Sequence, residues 1–284
     1  MKTIAIYHKD CSDGTTAAAV VLKKYPGALL FPMRYGYSPD EMAEIVKKAR
    51  PGDNIFTVDC VMGAREFLAA GFPVVSIDHH EGIKEDCEKL AREDKKFTYV
   101  FNNKKSGSSL AWSHFFPGEE MPELVKYVED FDLWNWKYGE DTKKIGNAIL
   151  MLMNKPEETL ALFDKPLDEI KREGAIITKY SDFMLRDSIN NVEPLELKVG
   201  DKSVHIYNIT QNKSEAGNIL SSERKSVVGL FTIHGKDVRI SFRSKDDQMP
   251  SALDVAKILG GGGHRNAAAA SIPLGDFLKN IVTK

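Results

Sequence analysis

The stretch Val74-Val75-Ser76-Ile77-Asp78-His79-His80-Glu81-Gly82 decides how this chain is read. A short apolar run, rich in β-branched residues, stops abruptly at a carboxylate and two imidazoles, and a turn-forming glycine follows. Such a run reads as a buried strand. In open parallel sheets, ligands bind in the crevice outside the carboxyl ends of the strands. An Asp and two His at such an end are costly to bury unless something satisfies them. Imidazole and carboxylate are the ligands of Mn, Zn and Fe sites, so a divalent metal would do so. Taken alone, the motif reads equally as a polar loop cap.

Two other strands end the same way. Residues 2–8 form an apolar strand running into His8-Lys9-Asp10-Cys11-Ser12-Asp13-Gly14. A helix of small residues follows at 15–24, its alanines allowing close packing on a sheet. Residues 28–33 form the next strand. Ser38-Pro39-Asp40-Glu41 has an N-cap serine, a proline at the first helical position and a glutamate at the third, which opens a helix to residue 49. Residues 55–58 are strand-like and halt at Asp59. A helix at 64–70 leads to the Val74 strand, and a further helix and a strand, Phe97–Phe101, close the run. Strands alternating with helices predict an α/β fold with a parallel sheet covered on both faces. Right-handed crossovers bring successive strand ends to one side. His8 and Asp13, Asp59, and Asp78-His79-His80 therefore converge on one edge as a shared metal site.

Beyond residue 101 the pattern turns helical. Ser106-Gly107-Ser108-Ser109 opens a helix at 110–116 and either offers backbone N–H groups to an anion, with Ser106 as contact, or is a plain N-cap. Asp130-Phe131-Asp132 precedes Trp134 and Trp136; either acid is a candidate further metal ligand, or the segment is a surface turn. Leu167–Asn190 is a long helix without proline, and Asn190-Asn191-Val192-Glu193-Pro194 breaks it. Residues 1–190 therefore form one domain with a connector helix, and residues 195–284 a smaller α/β domain. The second domain opens with strands at Leu195–Val199 and 204–209. A helix at 214–223, a hairpin around Gly235 and a helix at 252–259 follow. Four glycines then lead into His264, Arg265 and Asn266. A loop of this kind either is merely flexible or lets the N–H groups of Gly261, Gly262 and Gly263 surround a phosphate, with His264 and Arg265 as added donors. Arg243, at a strand end, is a second phosphate contact.

The 284 residues carry a formal net charge of −2, which argues against a protein that coats DNA electrostatically. Residues 195–284 hold 13 Lys and Arg against 9 Asp and Glu, so the first part is acidic and the second mildly basic. Three cysteines without a C-x-x-C pair point to a reducing compartment rather than a disulfide framework. The apolar run near the N-terminus fits neither a signal peptide nor a membrane span. A cytoplasmic protein is expected.

Read in order, His8…Asp13-Gly14, Asp59, Asp78-His79-His80, Asp130-x-Asp132 and the C-terminal Gly-Gly-Gly-Gly-His-Arg-Asn resemble the DHH phosphoesterase family with its DHH-associated C-terminal domain. The resemblance spans nearly the whole chain. It implies a parallel-sheet metal-binding domain and a smaller substrate-binding domain with a cleft between them. It also implies two Mn²⁺ ions, with Mg²⁺ or Co²⁺ as substitutes. One ion would take His8 and Asp59; the other would take Asp13, Asp59, His79 and an acid from the Asp130/Asp132 pair. Cys11 stands where the family usually has an acid, with Asp10 beside it but out of register. Cys11 is then a ligand for a softer metal, a weaker hold on the first ion, or a small buried residue. Asp59 would bridge the ions, and His80 would orient Asp78 or contact the phosphate or leaving group.

The reading that follows is a Mn²⁺-dependent phosphodiesterase, monomeric or homodimeric, acting on short single-stranded nucleic acid or dinucleotides. A polyphosphate or pyrophosphate hydrolase and a non-catalytic nucleotide-binding regulator are the alternatives. Aromatic platforms for bases would separate nucleotide from polyphosphate; Trp134, Trp136 and Phe242 are the candidates.

Overall fold

A computed structural model describes residues 1–282. The chain divides into two compact units, Met1–Thr178 and Lys179–Lys284. In the first, strands β1 (Thr3–His8), β2 (Leu29–Met33), β3 (Asn54–Val58), β4 (Val74–Asp78) and β5 (Phe97–Phe101) alternate with helices α1 (Ser12–Lys24), α2 (Pro39–Val46), α3 (Ala64–Ala69) and α4 (Lys84–Glu93). Helices α5 (Gly107–Phe115), α6 (Glu123–Asp132), α7 (Glu140–Leu150), α8 (Pro156–Ala161) and α9 (Leu167–Asn190) follow. The boundary between the units falls within α9, between residues 178 and 179, whereas the break read in the sequence follows Asn190.

The five strands are all parallel, in the order β2-β1-β3-β4-β5. The alternation of strand side chains feeds two cores. Ala5, Tyr7, Phe56, Val58 and Ile77 pack with α1 and α5 on one face. Ile4, Ile6, Ile55 and Val74 pack with α2, α3 and α4 on the other. Each fully buried Ile or Val contributes roughly 1.5–3 kcal/mol relative to exposure, which fixes the register, because a one-residue slip would exchange the two faces. α1 is buried on all sides from Ser12 to Leu22, which its small residues permit. Successive strands are added to one side of β1 as far as β2 and to the other from β3 onward, so the crevice at the carboxyl ends of β1 and β3 is a topological switch point.

The second unit is a mixed sheet in the order β10-β11-β9-β8-β7-β6-β12. Its strands are β6 (Leu195–Val199), β7 (Lys202–Tyr207), β8 (Val228–His234), β9 (Asp237–Arg243), β10 (Gly262–His264), β11 (Ala267–Pro273) and β12 (Ile281–Val282). Helices α10 (Lys213–Arg224), α11 (Ala252–Ile258) and α12 (Leu274–Asn280) accompany them. The pairing of β7 with β8 is parallel and the others are antiparallel. The hairpin around Gly235 is present, whereas the alanine run after Asn266 is a strand that pairs with β9 along its whole length. Among the described residues, no helix is long and apolar enough to cross a membrane.

Candidate metal centre

Strands β1, β3 and β4 are neighbours, so the residues at or just beyond their carboxyl ends meet. Asp59 continues the ladder by donating its N–H to Ile77 O at 2.9 Å, then turns into the left-handed region with φ 55°. Outside glycine that region is favoured mainly by Asp and Asn. The turn aims a fully buried carboxylate between two histidines. Asp59 Oδ2 lies 3.3 Å from His8 Nδ1, and Oδ1 lies 3.2 Å from His79 Nε2. Asp78 takes a different part. Its Oδ1 accepts from the His79 N–H at 2.7 Å and the His80 N–H at 3.3 Å, and lies 2.7 Å from His80 Nδ1. It thereby fixes both the turn and the His80 ring.

The first motif separates its acids. Asp10, with φ 56°, is held by the Arg34 guanidinium and by the Asn154 side chain, which donates at 2.6 Å to Oδ1 and accepts from the Asp10 N–H at 2.9 Å. These contacts direct it away from the centre. Cys11 is the N-cap residue of α1, yet its side chain makes no capping bond; it sits with His8 and Asp59 in one potential ligand set. Asp13, in the first turn of α1, is fully buried and belongs to a second set with His79 and Asp132. Gly14 is obligatory here: a Cβ would lie 2.4 Å from His8 O and 3.1 Å from Asp59 Oδ2.

Of the two acids in α6, Asp132 faces the centre, with Oδ2 at 3.5 Å from His79 Nε2. Asp130, also a candidate ligand, is instead a structural residue. It accepts from the N–H groups of Lys137 and Tyr138 at 2.9 and 3.3 Å and from the Thr142 hydroxyl, closing the turn into α7. Ser106 is corrected as well. It is fully buried, caps α5 by accepting from the Ser109 N–H, and lies 3.0 Å from the Ser108 hydroxyl, so it is not an anion contact. The residues missed in the sequence are its neighbours. Ser108 donates its N–H at 3.1 Å and its hydroxyl at 2.5 Å to Asp13 Oδ1. At Gly107 a Cβ would meet Asp59 Cβ at 2.6 Å. The Ser-Gly-Ser-Ser helix start was visible; that α5 abuts Asp59 and Asp13 was not.

Buried atoms facing this centre make no hydrogen bond: His8 Nδ1, both oxygens of Asp59 and Asp132 Oδ2. Such atoms are rare in folded proteins and call for an explanation. A pair of divalent cations fits the donor set: His8, Cys11 and Asp59 around one, Asp13, His79 and Asp132 around the other, with Asp59 reaching both. The protonation pattern agrees. Burial and the nearby Asp59 and Asp132 raise the Asp13 carboxyl to about 8, and burial raises Asp132 to about 6 against the opposing pull of His79. Burial disfavours charge on His79, but Asp59, Asp132 and Asp13 outweigh it and raise its pKa to about 10. Burial opposes charge on Asp59 too, yet His79 and His8 hold it well below the carboxylate range.

Metal ligands must be deprotonated, so these protons leave on loading. Affinity should therefore rise with pH up to about 10, as Asp132, then Asp13 and then His79 lose their protons. Near neutral pH, loading of both positions should release about three protons per chain, from His79, Asp13 and the Cys11 thiol, which burial holds protonated. Calorimetric titration with Mn²⁺ in buffers of different ionisation enthalpy measures this. Heats independent of buffer would reject the assignment of His79 and Asp13 as ligands.

In the second unit, Arg243 donates to Phe242 O and to Ser214 Oγ, each at 2.9 Å, and burial lowers its pKa to about 10. Lys213, which bonds the Thr232 hydroxyl at 2.6 Å, is lowered by burial and by Arg239 and Arg243. This cluster of cations was not read in the sequence beyond Arg243. The glycines are more constrained than a flexible loop. Gly262 and Gly263 pair with Ala269 and Ala268, and a Cβ at Gly261 or Gly263 would lie 2.1 or 2.6 Å from a carbonyl oxygen of β11. Gly262 alone of these three faces open space. His264 ends β10 half-buried, and Arg265 is exposed, donating to Asp246 O at 3.0 Å. Phe242 is fully buried and is no base platform, whereas Trp134 and Trp136 are half-buried, with ring centroids 4.7 Å apart.

Residues 204–284 match the DHHA1 domain. Uncharacterized protein R106 of Acanthamoeba polyphaga mimivirus is 24% identical over 290 residues, covering 93% of this chain; the chain spans 66% of that relative's length. RecJ from Thermus thermophilus in complex with Mn²⁺ superposes with a TM-score of 0.54 at 16% identity, covering 98% of this chain and 50% of RecJ. The pGpG-specific phosphodiesterase PggH from Vibrio cholerae superposes with a TM-score of 0.50 at 14% identity, covering 98% and 96%. At these identities the structural likeness speaks for the fold. The family match itself is to the DHHA1 domain over residues 204–284, and the acids and histidines gathered at the ends of β1, β3 and β4 lie in the other unit.

Proposed function

We propose that this chain is a metal-dependent phosphodiesterase that hydrolyses short oligonucleotides or dinucleotides in the cytoplasm, where its three free thiols stay reduced. The observation that carries this reading is the Asp59 carboxylate, buried between His8 and His79 with neither oxygen hydrogen-bonded. A pair of ions bound there, with Mn²⁺ the reference metal, would supply an activated water and neutralise the non-bridging phosphoryl oxygens. The residues of the chain do the rest. Asp59 fixes the spacing of the two ligand sets, and Ser108 holds Asp13 in place. Burial disfavours charge on His80, but Asp78 outweighs it and raises the pKa to about 9. His80 thus keeps a proton at neutral pH and can present Nε2–H to the phosphate or leaving group while Nδ1 is tied to Asp78. The near-neutral charge suits a short substrate better than a long polyanion.

Purified protein with Mn²⁺ should cleave dinucleotides and short RNA or DNA faster than polyphosphate or pyrophosphate, with products resolved chromatographically. Preference for polyphosphate would transfer the reading to phosphoanhydride hydrolysis. Binding of dinucleotide by fully metal-loaded protein without turnover would make the chain a nucleotide-binding regulator.

Recognition of a further phosphate is assigned to the second unit, through Arg243, Gly262, His264 and Arg265. Losing one charge-assisted phosphate contact costs about 1.5–3 kcal/mol, or roughly ten- to a hundredfold. His264→Ala should raise KM for a dinucleotide by that factor and leave cleavage of a small chromogenic phosphodiester nearly unchanged. Equal loss on both substrates would place His264 in the chemical step or in the fold instead.

A further inference from the structure

Resting on the metal-centre reading above, we infer that the two positions differ in kind. The position formed by His8, Cys11 and Asp59 is a thiolate site for a softer divalent ion of the Zn²⁺ and Co²⁺ class. The position formed by Asp13, His79 and Asp132 is the harder one, suited to Mn²⁺ or Mg²⁺.

The argument starts from what Cys11 does not do. An N-cap residue normally turns its side chain back to accept from the first helical N–H groups. Cys11 has the extended backbone of an N-cap, with φ −123° and ψ 133°, but its side chain makes no such bond. It offers a sulfur within 4.8 Å of donor atoms of His8 and Asp59. Those partners are independently short of hydrogen bonds: His8 Nδ1 and both oxygens of the fully buried Asp59 make none. No carboxylate of the same motif replaces the sulfur, because Asp10 is held by Arg34 and Asn154.

Donor chemistry then sets the preference. Thiolate with imidazole selects Zn and related borderline ions, whereas carboxylate-rich sets suit Mg and Mn. Along the first-row series intrinsic affinity also rises from Mn²⁺ towards Co²⁺ and beyond, so the sulfur reinforces an existing trend. The second set contains two carboxylates and an imidazole and lacks sulfur. The remaining cysteines, Cys60 and Cys87, are buried and lie in neither set, so a sulfur signal from bound metal reports on Cys11.

Co²⁺ is the probe. Metal-free full-length protein titrated with Co²⁺ should develop a near-ultraviolet sulfur-to-cobalt charge-transfer band that saturates with one ion per chain. Equimolar Zn²⁺ should displace it, and equimolar Mn²⁺ should not. Cys11→Ser should lose the band while circular dichroism shows a folded chain. Cys11→Asp should lose it and shift the binding preference from Co²⁺ towards Mn²⁺. Stoichiometric Co²⁺ on the wild-type protein, shown by elemental analysis, without the band would overturn the inference whether or not either variant folds. So would a band that survives in Cys11→Ser. These outcomes are separate from the phosphodiesterase reading: absence of hydrolysis across the substrate panel leaves the band in place, and absence of the band leaves Mn²⁺-dependent hydrolysis in place.

Discussion

Asp59→Ala abolishes turnover and metal binding while the chain stays folded; this is the expected result with the largest effect on function. Asp59 alone reaches both ligand sets, lying 3.3 Å from His8 and 3.2 Å from His79. Its removal leaves His8 and Cys11 as the only donors of the first set, takes a shared donor from the second, and removes the group that spaces them. Two-ion stabilisation of a phosphoryl transition state is worth several kcal/mol. At 1.36 kcal/mol per decade, kcat/KM should fall by at least about a thousandfold. The fold should survive because the carboxylate supports no neighbour by hydrogen bonding. The left-handed backbone at residue 59 costs Ala up to about 1–2 kcal/mol, which Asp59→Asn avoids, since Asn tolerates that conformation. The two variants should therefore lose activity and bound Mn²⁺ alike and differ modestly in melting temperature. Full metal occupancy with retained activity in Asp59→Asn would remove the bridging carboxylate from the mechanism.

Gly107→Ala should destabilise the protein and weaken its metal binding, although local reasoning predicts the opposite sign. Replacing glycine by alanine in a helix usually stabilises by roughly 0.5–1 kcal/mol. Here the new methyl would lie 2.6 Å from Asp59 Cβ and 2.8 Å from Asp59 Cα. One of those contacts is backbone, held in the β3–β4 ladder through the Asp59 N–H, and it cannot swing aside. Overpacking of this kind typically costs about 1–3 kcal/mol, so the clash outweighs the helix propensity. The displaced α5 start carries Ser108, and with it the hydrogen bonds that orient Asp13. Loss of such an outer contact lowers metal affinity by roughly 10- to 100-fold. Thermal melts and Mn²⁺ titration of the variant measure both effects. An unchanged or higher melting temperature with wild-type affinity would show that α5 and β3 approach less closely than described.

Much of this centre was legible along the chain because strand chemistry is local. An apolar run that stops at an acid or a histidine marks a strand end, and three such runs separated by helices imply a parallel sheet. The order β2-β1-β3-β4-β5 then makes β1, β3 and β4 adjacent, which brings His8, Asp59 and Asp78-His79-His80 together. The alanine strand β11 was hidden because Ala has weak strand preference; its pairing with β9 and the close approach of Gly261 and Gly263 decide its conformation.

What only the tertiary structure decided is which way each side chain turns. Asp130 and Asp132 are two apart on α6, and residues at that spacing do not share a helix face. The rotation of α6 is set by burial of Leu124, Val125, Tyr127 and Val128, and it sends Asp130 to the turn before α7 and Asp132 to the metal centre. The same holds for Asp10 and Cys11. Arg34 and Asn154, from distant parts of the chain, claim the carboxylate and leave the sulfur beside His8 and Asp59. The residue types at a strand end follow from the sequence alone. Their division between metal and scaffold depends on partners 24 to 144 residues away, and only the packed fold brings those partners into reach.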